Sequence, residues 1–410
     1  MKFNKWTIGL AAIGAVSLAS AAKAEEKASS VMTALSSTTL SGYVDTSAQW
    51  NFGTGNARLP DYKFGGSSKA DGFNLDVVQL RIEKPLDEAE WAAGYRVDLW
   101  MGPDANTLGT QSIFGSTGGA SQGDFAIRQA YVALRTPVGN GIDWKIGVFD
   151  SIVGYESVES GNNPNYTRSF GHSIEPQTET GLLGTYRFSD MVSVSGGIAN
   201  TIGPTINGRA SDPYGNQAES FKTYMGSIAL TAPESMGALK GSTLYAGVVN
   251  GFNSSVGPTG LAENQTSVYV GATVATPITG LRCGVAFDDL LVHNVSGETW
   301  AVGGYASYQA TEKLGLHLRG EYLRDRGDQK FFTTDAADPL ASLNPDKGLA
   351  ITATAQYELW KNVISRLEFR WDHSLSGQKV WGPADTSESS SNPGTLYNEF
   401  MLAANIIYKF

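Results

Sequence analysis

The sequence is poor in the residues that form metal centres, disulfide frameworks and polyanion-binding surfaces. It contains one Cys and four His among 410 residues, which excludes an intramolecular disulfide and any Cys-rich zinc or iron–sulfur site. Its 30 Lys and Arg are outnumbered by 40 Asp and Glu, so no basic excess is available to hold a nucleic acid. We therefore expect no metal, no cofactor and no nucleic-acid partner.

Charge and long hydrophobic runs are also scarce. Charged residues make up 17% of the chain, against roughly 25% in an ordinary soluble domain. After residue 24, no window of about 18 residues is both apolar and uncharged, which excludes a transmembrane helix. The chain instead contains 48 Gly and 10% aromatic residues, a composition that is not typical of a disordered chain.

The first 24 residues have the pattern of a secretory signal peptide. Lys2 and Lys5 form a positive start, residues 8–18 are apolar and uncharged, and alanines flank Lys23 just before the predicted cleavage site. An N-terminal membrane anchor is the alternative, although the apolar stretch is short for that role. The exported chain is predicted to begin at Glu25.

Beyond the leader, apolar and polar residues alternate in runs of about ten. In the run 363–371, Val, Ser, Leu, Phe and Trp fall on one face, while the Arg and Glu residues between them fall on the other. Such a period of two is typical of a β-strand with two different faces, because a helix of period 3.6 would mix them. Sixteen runs of this kind predict strands at 39–52, 74–84, 91–101, 125–136, 142–150, 180–188, 191–201, 221–231, 242–250, 266–276, 281–289, 299–310, 314–324, 348–360, 363–373 and 396–410.

The connections between these strands alternate in length. Short turns, such as 137–141 and 361–362, follow long polar segments, such as 102–124, 151–179 and 325–347. An even strand number with short periplasmic turns and long extracellular loops is typical of bacterial outer-membrane barrels. The sequence therefore predicts an all-β, transmembrane, antiparallel up-and-down barrel of about sixteen strands. It would form one domain at 38–410, after a short periplasmic segment at 25–37.

The outer faces of these strands have the features of a lipid-facing surface. Aromatic residues stand near the strand ends, where interfacial girdles occur: Trp50, Trp91, Tyr95, Trp300, Tyr308, Tyr322, Tyr357 and Trp371. The last strand ends in Phe410, which is similar to the signal read by outer-membrane assembly machinery. We expect a bacterial outer-membrane location, with membrane lipid, lipopolysaccharide and that machinery as partners.

If lipid contacts the apolar faces, the charged faces point into a lumen too wide for side chains to fill. The candidate pore-lining and constriction residues are Arg81, Arg96, Asp98, Arg128, Arg135, Glu156, Glu159, Tyr166, Arg168, Glu175, Arg187, Arg319, Glu321, Arg366, Glu368 and Arg370. They could create a transverse field across the pore, or neutralise one another as ion pairs. Arg128 and Arg135 lie at opposite parity in one strand, so both can point inward only if that strand contains a bulge.

The connection 151–179 is the best candidate for a constriction. It contains charged, aromatic and Asn residues, and Pro164 and Pro176 stiffen it. A loop of this length without secondary structure is usually functional or disordered, and its composition argues against disorder. It either folds into the lumen or lies over the mouth.

Four segments carry a resemblance to a known family. DEAEWAAGYRVD at 87–98, RQAYVALR at 128–135, GVFD at 147–150 with GYE at 154–156, and NPNYTRS at 163–169 are similar to the putative β-barrel porin-2 family, the OmpL-like porins. The resemblance covers most of the exported chain and is densest at 40–200. It implies an outer-membrane porin fold with passive solute passage. It implies no active site, because the family carries no well-defined catalytic motif.

The function favoured by these patterns is a non-enzymatic channel for small hydrophilic solutes. No zinc-protease motif, phosphate-binding loop, dinucleotide fingerprint or nucleophile elbow occurs in the sequence. Two alternatives stay open, an adhesin or receptor that acts through its loops and a membrane-embedded hydrolase. A homotrimer is expected by analogy alone.

The leader gives the first testable prediction. Mass spectrometry of the protein isolated from outer membranes should show a chain that begins at Glu25, because alanines occupy the −3 and −1 positions before it. Replacement of both alanines by Asp should leave the leader attached. An intact Met1 on the natural protein would contradict this prediction.

Overall fold

The computed structural model describes most of the chain beyond its N-terminal region. The described residues are 37–53, 64, 69–108, 110, 123–210, 220–256, 262–293, 297–326, 347–377, 379–383 and 394–410. The predicted signal peptide and nearly all of the predicted segment 25–37 lie outside them. No helix among the described residues is long and apolar enough to cross a bilayer.

Sixteen strands form the described structure, as the alternating runs predicted. They are β1 (Thr39–Asn51), β2 (Gly72–Lys84), β3 (Ala93–Met101), β4 (Phe125–Thr136), β5 (Ile142–Asp150), β6 (Thr178–Arg187), β7 (Val192–Ala199), β8 (Thr223–Thr231), β9 (Thr243–Val256), β10 (Ala262–Ala275), β11 (Leu281–Val292), β12 (Gly297–Gln309), β13 (Leu314–Arg326), β14 (Lys347–Trp360), β15 (Val363–Ser374) and β16 (Asn398–Lys409). Each strand pairs antiparallel with its sequence neighbours, and β1 pairs with β16, so the sheet is a closed barrel.

The seam between the first and last strands is fully hydrogen-bonded. Tyr43 lies opposite Lys409 and the register continues to Asn51 opposite Met401. Beyond it, Gly42 N donates to Phe410 O at 2.9 Å and Phe410 N donates back at 3.0 Å. Closure leaves no edge strand in the hydrocarbon, where each unpaired backbone group would cost several kcal/mol.

The two faces of each strand have the predicted polarity. In β13, Leu316 and Leu318 expose 43% and 52% of their surface, whereas Arg319 and Glu321 expose 0% and 3%. The exposed residues face outward and the charged ones face the interior. The same alternation in β2, β3 and β15 confirms the assignment of apolar faces to lipid.

Two hairpins are longer than predicted. The expected connection 251–265 is mostly strand, because β9 continues to Val256 and β10 begins at Ala262. The expected connection 290–298 is shortened in the same way by β11 and β12. Polar side chains marked these residues as loop, but backbone pairing does not require apolar side chains once the strands leave the bilayer core.

Short helical elements occur only in the connections of the described structure. They are α1 (Pro103–Asn106), α2 (Phe170–Ile174) and two 3₁₀ helices, at Ser160–Asn162 and Glu234–Leu239. The last lies in the turn between β8 and β9 and exposes its side chains. The first three belong to connections at the other end of the barrel, the long-loop end.

An outward charge should destabilise the barrel. In Leu318→Arg, a guanidinium on the lipid face near the middle of β13 should lower the free energy of unfolding in vesicles by about 2–4 kcal/mol. Leu239→Arg is the matched control, because Leu239 is exposed outside the strands and a surface change there costs within about 0.5 kcal/mol. Equal urea midpoints for the two variants would contradict the lipid-facing assignment.

Candidate functional site

The connection between β5 and β6, residues 151–177, lies inside the barrel, and we call it the inner loop. Nearly all of its residues are buried, including Glu156, Glu159, Arg168 and His172. Its backbone and side chains contact inward-facing residues of strands on every side of the barrel, among them β1, β3, β9 and β15. Of the two placements left open by the sequence, the described structure shows the loop folded into the interior.

Apolar contacts fix the start of the inner loop against β6–β12. Ile152, Val153 and Tyr155 pack with inward residues of these strands in one cluster. The Tyr155 ring stacks on Tyr305 with a centroid distance of 4.1 Å, and the hydroxyl of Tyr245 donates to Ile152 O. This wall of the barrel is therefore covered by the loop and not by water.

The middle of the inner loop is held by the inner faces of β13 and β15. The Glu368 carboxylate accepts from Tyr166 N at 2.6 Å and from Thr167 N at 2.9 Å. Arg319 NH1 donates to Glu156 Oε1 at 2.8 Å and also to Thr167 O at 2.9 Å. Further contacts of this kind are Arg370 to Arg168 O, Arg366 to Ser160 O and Asn163 O, and Phe170 N to Glu321.

The deepest part of the inner loop reaches the barrel seam. Lys409 Nζ, near the end of β16, donates to Gly161 O at 2.7 Å. A Cβ at position 161 would lie 2.7 Å from Lys409 Cε, so a larger residue there would have to displace the lysine side chain. The loop therefore extends from the long-loop end of the barrel toward the short turns at the opposite end.

Glu159 joins the inner loop to a cluster of three arginines. Arg96 and Arg128 approach its Oε1 at 3.1 and 3.3 Å, and Arg81 also contacts that oxygen. Asp98 lies among the same guanidinium groups, with Arg81 Nε at 2.7 Å and Arg128 NH1 at 2.9 Å. Two carboxylates thus balance much of the charge of three arginines.

The electrostatics of Glu159 follow from that cluster. Burial acts to raise its pKa, but the guanidinium groups of Arg81, Arg128 and Arg96 outweigh burial, and the pKa is lowered. Because the folded-state value is the lower one, this carboxylate stabilises the folded protein above its unfolded pKa of about 4.3. That contribution is lost as pH falls through the folded-state value.

Glu175 behaves in the opposite way. Burial, followed by the charge of Asp288 on β11, raises its pKa well above the usual value. Asp288 also lies against α2, since a Cβ at Gly171 would be 2.2 Å from its Oδ2. Glu175 and Asp288 thus bring two carboxyl groups together at the contact between the inner loop and β11.

A bulge in β4 allows both of its arginines to face inward. Asp98 lies opposite Gln129, but Leu99 lies opposite Ile127, so the register shifts by one residue at Arg128. Arg128 and Arg135 are 2% and 8% exposed on the interior side. The sequence predicted such a bulge, because the two arginines lie at opposite parity in one strand.

The predicted site residues on the strands differ in how far the inner loop covers them. Arg319, Glu321, Arg366, Glu368 and Arg370 lie beneath the inner loop and are buried. Arg81 and Arg96 pair with Glu159 of the loop but keep side chains that are 19% exposed, and Arg187 is half-buried. Tyr166 contacts Ser47 at 3.0 Å, and Arg168 donates to Ser157 O and Val158 O within the loop itself.

Several interior residues were missed at the sequence level. Lys69 bridges Asp76 and Asp104 at 2.6 and 2.5 Å beside α1, and no periodicity could place residues of two separate connections together. Lys145 lies on the inner face of β5, where the alternation of Asp143 and Lys145 with Ile142 and Ile146 would have revealed it. Among the described residues, no group of three or more His, Cys, Asp or Glu could hold a metal ion.

Comparison with known proteins identifies the family. A model of the family described as "Putative beta-barrel porin-2, OmpL-like" matches residues 37–410. The chain belongs to this family. It is accordingly an outer-membrane β-barrel of the porin type, and no curated protein matches it.

Solved structures share the fold at low sequence identity. The outer membrane channel DcaP of Acinetobacter baumannii superposes with a TM-score of 0.57 at 12% identity, covering 91% of this chain and 97% of that one. An anion-selective porin from Comamonas acidovorans gives 0.53 at 13% identity over 91% and 99% of the chains. The trimer form of OmpT, an outer membrane protein of Vibrio cholerae, gives 0.51 at 11% identity over 91% and 99%.

Glu368 is the residue whose loss should release the inner loop. Glu368→Ala removes the acceptor of two buried loop amides, each contact to a charged group being worth about 1.5–3 kcal/mol. Hydrogen exchange at Tyr166 and Thr167 should accelerate, while the strand amides of β14 and β15 stay protected. Glu358→Ala, at an exposed position of β14, should leave all of them unchanged. Unaltered exchange at the two loop amides would refute the anchoring role.

Proposed function

We propose that this protein is a porin through which small hydrophilic solutes diffuse passively, with the inner loop as the constriction. Sixteen strands enclose a lumen wider than side chains alone can fill. The inner loop occupies much of that lumen and is anchored mainly on β13 and β15. The observation that carries the proposal is this anchoring of the loop to charged inner-wall residues at many points, so solutes would pass between the loop and the partly exposed charged side chains of β2, β3 and β5.

Charged groups with partial exposure line this passage. Asp143 and Asp150 side chains are 31% and 32% exposed, and those of Arg81 and Arg96 are each 19% exposed. These groups suit a polar solute that keeps part of its hydration. A wall with both signs of charge close together favours passage of hydrophilic molecules over apolar ones.

A hydrolase is not favoured by the interior histidine. His317 Nδ1 and Ser307 Oγ lie 2.8 Å apart, but among the described residues no hydrogen-bond partner contacts the other ring nitrogen of His317. A catalytic triad needs a third group that orients the imidazole. We infer that this pair is a polar contact of the wall, and that the protein is not an enzyme.

We also propose a homotrimer, as described for the Vibrio cholerae OmpT structure. In a trimer, part of the outer apolar face would contact the neighbouring subunits, and the rest would contact lipid. The signal peptide and the short periplasmic segment at 25–37 stay predictions.

Deletion of the inner loop tests the constriction. Removal of 156–172 should increase single-channel conductance severalfold, because a wider lumen conducts better and the freed arginines of β13 and β15 can be hydrated by water. Deletion of 234–239, the exposed turn between β8 and β9, serves as the control and should leave conductance unchanged. Equal conductance of the loop deletion and the natural protein would reject the constriction role, and the absence of any steady channel in the natural protein would reject the porin assignment.

A further inference from the structure

A chamber lies on the short-turn side of the inner loop, against the inner wall of β2–β7. Its lining includes Pro85, Leu86, Tyr131, Arg135, Lys145 and Arg187. Pro85 and Leu86 come from the turn after β2 and lie close to the inner side of β3, since a Cβ at Gly94 would meet their backbone. The chamber therefore lies at the short-turn mouth of the passage, and its lining combines apolar and cationic groups.

The charge of this chamber is opposite in sign to that of the whole chain. Four cationic residues line it, Lys84, Arg135, Lys145 and Arg187, against two acidic ones, Glu83 and Asp143. The chain as a whole has a net charge of −10. A local excess of two positive charges in an acidic protein creates a potential that attracts anions at this position.

Lys145 is a cation of this chamber that no salt bridge holds. Its Nζ lies 5.1 Å from the centre of the Tyr131 ring, and it makes no ion pair or hydrogen bond with any described residue. Arg135, in contrast, donates to Asp143 Oδ1 at 2.7 Å and to Asn140 O at 2.9 Å. Asp150 and Glu83 act electrostatically on this half-buried ammonium group, but neither hydrogen-bonds to it, and a bound anion would supply that contact.

The apolar part of the lining restricts the kind of anion. Beside Lys145 stand the Tyr131 ring, the Ala133 methyl group and Leu86, which offer little to the oxygens of a fully hydrated inorganic ion. They suit a ligand with a charged end for the ammonium group and an apolar body for the ring. The same cations without these neighbours would attract any anion equally.

We propose that this chamber is a binding site for small organic carboxylates in transit, with Lys145 as the carboxylate-binding group and Tyr131 as a contact for the apolar body. The proposal rests on the proposed porin function, since it names the class of solute. It assigns Lys145 a role in selecting solutes, separate from the arginines that hold the inner loop. Arg135 and Arg187 contribute to the local potential.

Direct binding tests the site without requiring conduction. Benzoate is titrated into the detergent-solubilised protein and its binding is followed by saturation-transfer NMR, with acetate and inorganic phosphate as comparison anions. Lys145→Met should weaken benzoate binding about tenfold, the loss expected for one charged contact, and Lys145→Arg should largely retain it. Lys240→Met is the matched control, because Lys240 is exposed in the turn between β8 and β9 and pairs with Glu234.

Reversal potentials in potassium benzoate gradients provide the second readout. The permeability of benzoate relative to potassium should fall severalfold in Lys145→Met and stay unchanged in Lys240→Met. Equal benzoate binding by Lys145→Met and Lys240→Met would overturn the proposal, as would tighter binding of phosphate than of benzoate. A natural protein that binds benzoate but does not conduct would contradict the porin function while supporting the site, so the two failures are distinguishable.

Discussion

The structure depends on one constraint, that every backbone N–H and C=O in the hydrocarbon must find a partner within the protein. Sixteen short strands meet it only as a closed ring, and the pairing of β1 with β16 closes that ring. Closure also fixes polarity, because a strand of period two must present one set of side chains to lipid and the other to the interior. The charged interior is thus a consequence of the apolar exterior.

A charged interior creates a second requirement, which the inner loop meets. Arg319, Arg370 and Glu368 are almost fully buried, and buried charges without partners would cost several kcal/mol each. Loop carbonyl and amide groups supply those partners, so the loop and the wall stabilise each other. Removal of a single wall residue therefore leaves loop groups unpaired, whereas removal of the whole loop returns the wall to water.

The sequence predicted the strands well because their signal is local. Each of the sixteen strands overlaps a predicted run, and the alternation correctly placed Arg319 and Glu321 on the inner face of β13. It even required a bulge between Arg128 and Arg135, which the structure contains. Strands β9–β12 extend beyond their predicted bounds at the long-loop end, because polar side chains mark the edge of the bilayer and not the end of backbone pairing.

The contacts of the interior could not be predicted, because parity gives the side of the sheet and not the neighbours across the lumen. Glu159 lies far along the chain from Arg81 and Arg96, and only the path of the inner loop brings them together. For the same reason, the sequence could not separate arginines beneath the loop from cations that keep access to the passage. Under the proposed function that distinction would matter for selectivity, since a guanidinium group already bound to a loop carbonyl presents little attraction to a solute. Lys145 differs because it makes no ion pair with the inner loop and lines the chamber at the short-turn end.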